Sequence, residues 1–306
     1  MGFNELIGND KIKSILTDSI VNKNILHSYM FYGSEGIGKK LFAIEFAKMI
    51  LCESKGEKPC NQCKSCVEFN SNNNPDFFLI EPEQSSLKID QIRNMQKNII
   101  EKPLNGNKKI YIINDADKMT KEAQNCLLKT LEEPQEFIVI ILICSNENYI
   151  LPTVKSRCTK IFFNQISNKE ISKLIAEKNN SVSFDENMLE LSGGSVKKAI
   201  DILNKKDILN QLSSIINTVD KVDKLSFFSN NEFFYSNKDD ISLLLDYAYV
   251  ILFKLINDIN RFNCIEAMHI VEETKKKLLY SNNYDMTIDN MLIKIWEEFN
   301  EKNNRG

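Results

Sequence analysis

Five short apolar runs punctuate the first half of the chain, separated by segments whose apolar residues recur at helical spacing. They are SYMFY from Ser28, DFFLIEP from Asp76, KKIYIIND from Lys108, FIVIILICS from Phe137 and TKIFF from Thr159. Each is apolar almost without interruption, which predicts strands buried on both faces of a parallel sheet flanked by helices. Between the second and third runs, IDQIRNMQKNIIEKP has the pattern of an amphipathic helix. Between the third and fourth, TKEAQNCLLKTLEEP has another, opened by Thr120 and closed by Pro134.

After Asn164 the strand pattern stops. NKEISKLIAEK and SVKKAIDILNK predict two short helices flanking a third, with a break at Gly193-Gly194. From Asp207 onward the pattern is helical throughout, with polar joints expected near 229–238 and 281–284. The chain therefore divides into an α/β module over 1–165, a small helical segment over 166–206 and an all-helical region over 207–306.

Bulk composition changes little in this picture. At 306 residues, 42% hydrophobic and 26% charged, the chain has room for two or three domains. No apolar run approaches the roughly 20 residues of a membrane span, and the first residues lack a signal-peptide profile, so a cytoplasmic location is expected. A formal charge of -3 gives no electrostatic case for nucleic acid as the main partner. With only His27 and His269 present, histidine-centred catalysis is not expected.

Chemistry enters at GSEGIGKK, Gly33 to Lys40, which lies between the first strand and the helical LFAIEFAKMI. Strand, glycine-rich turn and helix is the setting of a phosphate-binding loop, whose pattern is G-x-x-x-x-G-K-[ST]. Gly33, Gly38 and Lys39 meet that pattern, and Gly36 adds a further tight turn. Backbone N–H groups there can face a phosphate, with Lys39 near its outer oxygens. Position 40 fails the pattern: it is lysine, where a hydroxyl would hold magnesium. The acidic element expected at the end of an apolar strand is KIYIINDADKM, with Asn114 and Asp115 where Asp-Glu serves magnesium and the attacking water. An amide cannot give a hard dication the charge of a carboxylate. Two lapses in one role predict that hydrolysis is absent. The plainer reading is that Asp115 and Asp117 cap the following helix.

Four of eight cysteines fall in CESKGEKPCNQCKSC: Cys52, Cys60, Cys63 and Cys66. Two successive C-x-x-C spacings cannot share one helix face, so a loop is expected to gather the thiolates around a tetrahedral ion, Cys52 being the fourth ligand. Structural zinc is the expectation, with a redox pair or an iron–sulfur cluster as alternatives. Lys55, Lys58 and Lys64 are balanced by Glu53, Glu57 and Glu68, a weak phosphate footprint for a zinc-stabilised DNA-binding module. The scattered Cys126, Cys144, Cys158 and Cys264 read as small buried hydrophobes. Arg157, in Ser156-Arg157-Cys158, reads on spacing alone as a surface charge, although its planar fork suits phosphate.

Taken together and in order, IGNDKIKSIL, HSYMFYGSEGIGKK, the four cysteines, IYIINDADKM, NCLLKTLEEP and LPTVKSRC resemble the bacterial clamp-loader subunits of DNA polymerase III, within the AAA+ family. LLKTLEEP and SRC are the most specific elements, and the resemblance covers essentially the whole chain. It implies an AAA+ P-loop domain with an inserted zinc module at 52–66, a helical lid over 166–206 and a helical collar over 207–306. The lapses at Lys40 and Asn114 match the delta-prime type of the family rather than the hydrolysing gamma/tau type. A delta-prime-like chain is expected to complete a ring with gamma/tau and delta subunits, which places the sliding clamp on primed DNA. Its SRC arginine, here Arg157, would act in trans on ATP held by a neighbouring gamma/tau subunit. The family's zinc ligands fall on Cys52, Cys60, Cys63 and Cys66. The nucleotide-sensing lid arginine falls on Lys197 in GGSVKKA, which keeps the charge and loses the fork. ATP or ADP could then be bound without efficient turnover. An active AAA+ ATPase of the gamma/tau type is the competing reading.

Overall fold

The computed structural model describes residue 3 and residues 6–178, 185–259, 263–280 and 283–300. Two compact units are found, Met1–Leu174 with Gly194–Lys197, and Ile175–Gly193 with Lys198–Gly306. The helices α8 (Glu186–Ser192) and α9 (Val196–Asn204) of the expected lid segment fall largely in the second unit.

The first unit is built on the five expected strands: β1 (Ser28–Tyr32), β2 (Phe77–Ile80), β3 (Lys109–Ile113), β4 (Ile138–Cys144) and β5 (Thr159–Phe162). They form one sheet in the order β2-β3-β4-β1-β5. Every pairing is parallel, with Met30 opposite both Leu142 and Lys160, and Tyr111 opposite Ile140. The period of two along β4 shows why its run has no polar position. Ile138, Ile140, Leu142 and Cys144 enter the core on one face, while Val139, Ile141 and Ile143 enter the core on the other.

Helices cover both faces. On one lie α1 (Asp10–Val21) and α2 (Lys39–Leu51), which contribute Ile12, Leu16, Phe42 and Phe46. On the other lie α4 (Ile89–Ile99) and α5 (Lys121–Glu132), which contribute Ile92, Met95, Leu127 and Leu131. Thr120 opens α5 as expected, its hydroxyl accepting the Ala123 N–H at 3.2 Å.

Two expectations about the strands are corrected. β2 is half-buried throughout, and β5 is exposed at all positions but Ile161. Both lie at the edges of the sheet, so only the three inner strands are covered from both sides. Because all strands run parallel, the loops after β1, β3 and β4 emerge at the same sheet end, where ligands of such sheets bind.

The second unit is helical. Its core gathers Leu209 and Leu212 of α10 (Lys206–Asn217), Leu244, Tyr247 and Ile251 of α13 (Ile241–Ile259), Cys264 and Val271 of α14 (Asn263–Leu278), and Ile288 and Leu292 of α15 (Tyr284–Asn300). Trp296 ties α15 down by donating Nε1–H to the Val222 carbonyl at 2.9 Å. The polar joint expected at 229–238 is not a plain turn. It contains α12 (Asn231–Ser236), between α11 (Lys224–Phe228) and α13, and buries Phe233 and Phe234. Those two apolar side chains override the polar residues around them. Residues 281–282 of the other expected joint lie outside the described residues. No described helix is long and apolar enough to cross a membrane.

Candidate functional site

The loop after β1 has the geometry of a phosphate cradle. Gly38 caps α2 at φ +93°, a conformation that suits glycine. At Gly36, φ is +77° and a Cβ would lie 2.1 Å from Ser195 Oγ, so no other residue fits without displacement. Lys39 is buried, and its ammonium donates to the carbonyls of Gly33 and Ser34, each at 2.6 Å, and to Ser145 Oγ at 3.4 Å. Burial pushes its pKa below the ordinary lysine value, against nearby Cys144, Asp117 and Asp115.

Lys40 and Asn114 are brought together by a residue the motifs do not mark. Glu81, just after β2, accepts from Lys40 Nζ at 2.9 Å and from Asn114 Nδ2 at 3.1 Å through the same oxygen. The two positions that would handle magnesium thus present an ammonium and an amide, joined through one carboxylate. This donor set does not fit a hard dication, which takes oxygen ligands. Its signal in the sequence was an acid at the carboxyl end of a strand.

Asp115 and Asp117 do not cap α5. Asp115 stands in the left-handed region at φ +50° and pairs with Lys118 at 2.9 Å. Asp117 Oδ2 accepts the N–H groups of Ser145 and Asn146 at 3.2 and 3.0 Å, tying the turn after β3 to the end of β4. The cap of α5 is Thr120, three residues later. Lys197 meets the loop itself, pairing with Glu35 at 3.2 Å, with both side chains well exposed.

The cysteines converge: the sulfurs of Cys52, Cys60, Cys63 and Cys66 all lie within 4.8 Å of one another. They do not come from a loop alone. Cys63 is the N-cap of α3 (Lys64–Asn70), its sulfur accepting the Cys66 N–H at 3.4 Å, so Cys66 lies in the first helical turn. Turning the chain into a helix after Cys63 is what redirects Cys66 toward its partners. Cys60 N–H donates to Cys52 Sγ at 3.4 Å and Cys63 N–H to Cys60 Sγ at 3.3 Å. Backbone N–H groups of Gln62 and Cys63 pull the Cys60 thiol down to about 6, while burial pushes Cys52 and Cys66 up. Four soft donors at this spacing fit a closed tetrahedral site, where Zn–S bonds of about 2.3 Å set the sulfurs roughly 3.8 Å apart.

Of the scattered cysteines, Cys144, Cys158 and Cys264 are buried as expected, and Cys126 is half-buried with its thiol on Gln96 Oε1 at 3.2 Å. Burial raises Cys144 to about 12 and Cys158 to about 11, so both remain thiols at neutral pH.

Arg157 follows α6 (Pro152–Lys155) and precedes β5. It is not a free surface charge. Nη2 pairs with Glu132 Oε1 at 2.6 Å and Nη1 donates to the Thr153 carbonyl at 2.8 Å. The buried Ser28 hydroxyl donates to the Arg157 carbonyl at 2.6 Å.

Residues 8–167 match the family model described as DNA polymerase III, delta subunit. The chain is 31% identical over 206 residues to the DNA polymerase III subunit delta-prime of Bacillus subtilis, covering 67% of this chain and 62% of that protein. It is 34% identical over 209 residues to subunit gamma/tau of Mycoplasma pneumoniae, covering 66% of this chain and 30% of that protein. These two matches thus span less than two thirds of either relative's length. Among solved structures, a DNA polymerase III gamma subunit-related protein from Thermotoga maritima aligns with a TM-score of 0.56 at 19% identity, over 93% of this chain and 99% of that one. At that identity the likeness concerns the fold.

Proposed function

The chain belongs to the DNA polymerase III delta-prime/gamma-tau family of AAA+ clamp-loader proteins, and we propose that within it this is a non-hydrolysing subunit of the delta-prime type. One observation carries this reading: Lys40 and Asn114 share Glu81 where an ATPase would assemble magnesium ligands. The loop keeps its glycines and Lys39, so ATP or ADP can be held there without efficient turnover. Lys197, paired with Glu35, lacks the fork of a nucleotide sensor.

In this reading the α/β module of 1–165 is followed by a lid over 166–206 and a collar over 207–306 that joins gamma/tau and delta subunits into a cytoplasmic ring. The ring loads the sliding clamp on primer-template DNA. Arg157 supplies its guanidinium in trans to ATP on a neighbouring gamma/tau subunit. Zinc, held by Cys52, Cys60, Cys63 and Cys66, has a structural role: four thiolates leave no open position for chemistry. The likeness to gamma/tau proteins of Mycoplasma supports a second reading, an active ATPase.

ATP turnover by the purified chain separates the two. The isolated subunit is expected to show negligible magnesium-dependent hydrolysis; robust turnover would establish the second reading instead. In the reconstituted ring, Arg157→Ala is expected to leave assembly intact and lower DNA-stimulated hydrolysis by about 10³-fold or more, the scale of arginine fingers elsewhere. Normal hydrolysis by that ring would remove Arg157 from the mechanism.

A further inference from the structure

The last turn of α5 is a poor place for a carboxylate, because the helix presents its partial negative charge there. Glu132 and Glu133 both stand at that end. Glu132 finds its compensation 25 residues away, in the Arg157 guanidinium, at 2.6 Å. The side chains are 34% and 49% exposed for Arg157 and Glu132, so the pair adds little to stability. Its consequence is geometric.

Arg157 is fixed at both ends. Its backbone carbonyl is held by Ser28, buried at the start of β1, and its guanidinium by Glu132 and the Thr153 carbonyl. Nη1 also reaches Ser156 Oγ at 3.4 Å. A guanidinium has five N–H donors in a planar fork. The Thr153 carbonyl takes one N–H of Nη1, while the Glu132 carboxylate lies against Nη2 as an ion pair. Neither Nε nor Nη2 donates a hydrogen bond among the described residues. The fork is therefore oriented by the chain's own acceptors without being consumed by them.

We propose that Glu132 is a positioning residue for Arg157: it holds the guanidinium in the orientation in which its remaining donors meet a phosphate of the neighbouring subunit. This rests on the reading of Arg157 as a residue that acts in trans. A long side chain swinging free would lose that orientation, and misplacement of a catalytic group by about 1 Å costs up to roughly a hundredfold in rate.

The test uses the reconstituted ring and its DNA-stimulated ATP hydrolysis, with four chains: Arg157→Ala, Glu132→Ala, Glu132→Gln and the Glu132→Ala/Arg157→Ala double variant. Glu132→Ala is expected to lower kcat by about tenfold to a hundredfold with KM little changed. Glu132→Gln, which keeps the side-chain shape but loses the charge of the ion pair, is expected to recover only part of that loss. The double variant is expected to match Arg157→Ala alone, because the effect of Glu132 passes through Arg157. An unchanged or raised kcat in Glu132→Ala overturns the proposal. So does a double variant slower than Arg157→Ala, or a loss of ring assembly, either of which marks a structural role. If Arg157→Ala itself hydrolyses normally, the reading beneath the proposal fails; if only Glu132→Ala does, the proposal alone fails.

Discussion

The phosphate loop and the cysteine cluster are both built where a helix begins, and they treat charge in opposite ways. At the start of α2 every cation has an acceptor from its own chain: Lys39 the carbonyls of Gly33 and Ser34, Lys40 the carboxylate of Glu81, and Lys197 that of Glu35. At the start of α3 four sulfurs gather within 4.8 Å, and the nearby ammonium groups turn elsewhere. Lys58 bonds to the Cys52 carbonyl and Lys48 to Asn61 Oδ1, rather than to sulfur. The loop's cations are satisfied within the chain, whereas the cluster is a set of four soft donors that could hold a cation. In the proposed reading, a motif associated with a metal has given it up, while a stretch without a nucleotide motif would hold one.

The largest effect is expected at the cluster. Structural zinc contributes about 10–16 kcal/mol in isolated peptides, and even partial coupling makes Cys66→Ser the costliest single change considered. Metal analysis is expected to find one zinc per wild-type chain, and the variant or a chelator to lower the thermal midpoint by several degrees. A midpoint insensitive to both would mean that the four sulfurs are held by packing alone.

Next comes Lys39→Ala, which leaves the Gly33 and Ser34 carbonyls without their donor. Buried groups orphaned in this way cost about 1–3 kcal/mol each. The loss is expected without any nucleotide, read by urea denaturation. Burial lowers the Lys39 pKa below 10.5, so between its folded and unfolded values the unfolded chain binds more protons and stability rises with pH. Lys39→Met is expected to remove that rise. Identical pH slopes for the two chains would show that the ammonium is better solvated than its surroundings imply.

The three inner strands could be read in advance because a strand covered on both faces admits no polar position, as in Ile138–Cys144. That β2 and β5 are edges could not, because a strand's neighbours are fixed by the rest of the sheet and leave no local mark. The same division runs through the site. The glycines, Lys39 and the four cysteines announce themselves by spacing. Glu81, Glu132 and Ser28 do not, since their partners lie 41, 25 and 129 residues away and only the parallel topology brings them together. Asp117 was visible, but its bonds to Ser145 and Asn146 likewise depend on which loops share the sheet end.

The smallest expected effect is at Glu81. Lys40 and Glu81 are 40% and 47% exposed, so Glu81→Gln is expected to cost less than about 1 kcal/mol, measured by the same denaturation. A loss of several kcal/mol would make the carboxylate a buried structural element and the loop less self-contained than it is argued to be. The small cost is informative because it leaves room for a companion change. Lys40→Thr with Asn114→Asp replaces an ammonium and an amide by a hydroxyl and a carboxylate beside the retained Glu81, an oxygen set that suits magnesium. Nucleotide titrations with and without magnesium are expected to differ for that double variant and to coincide for the wild type. If magnesium strengthens binding to the wild type equally, Lys40 is not standing in the metal's place. The loop would then differ from the cysteine cluster in the kind of ion it needs, rather than in whether it needs one.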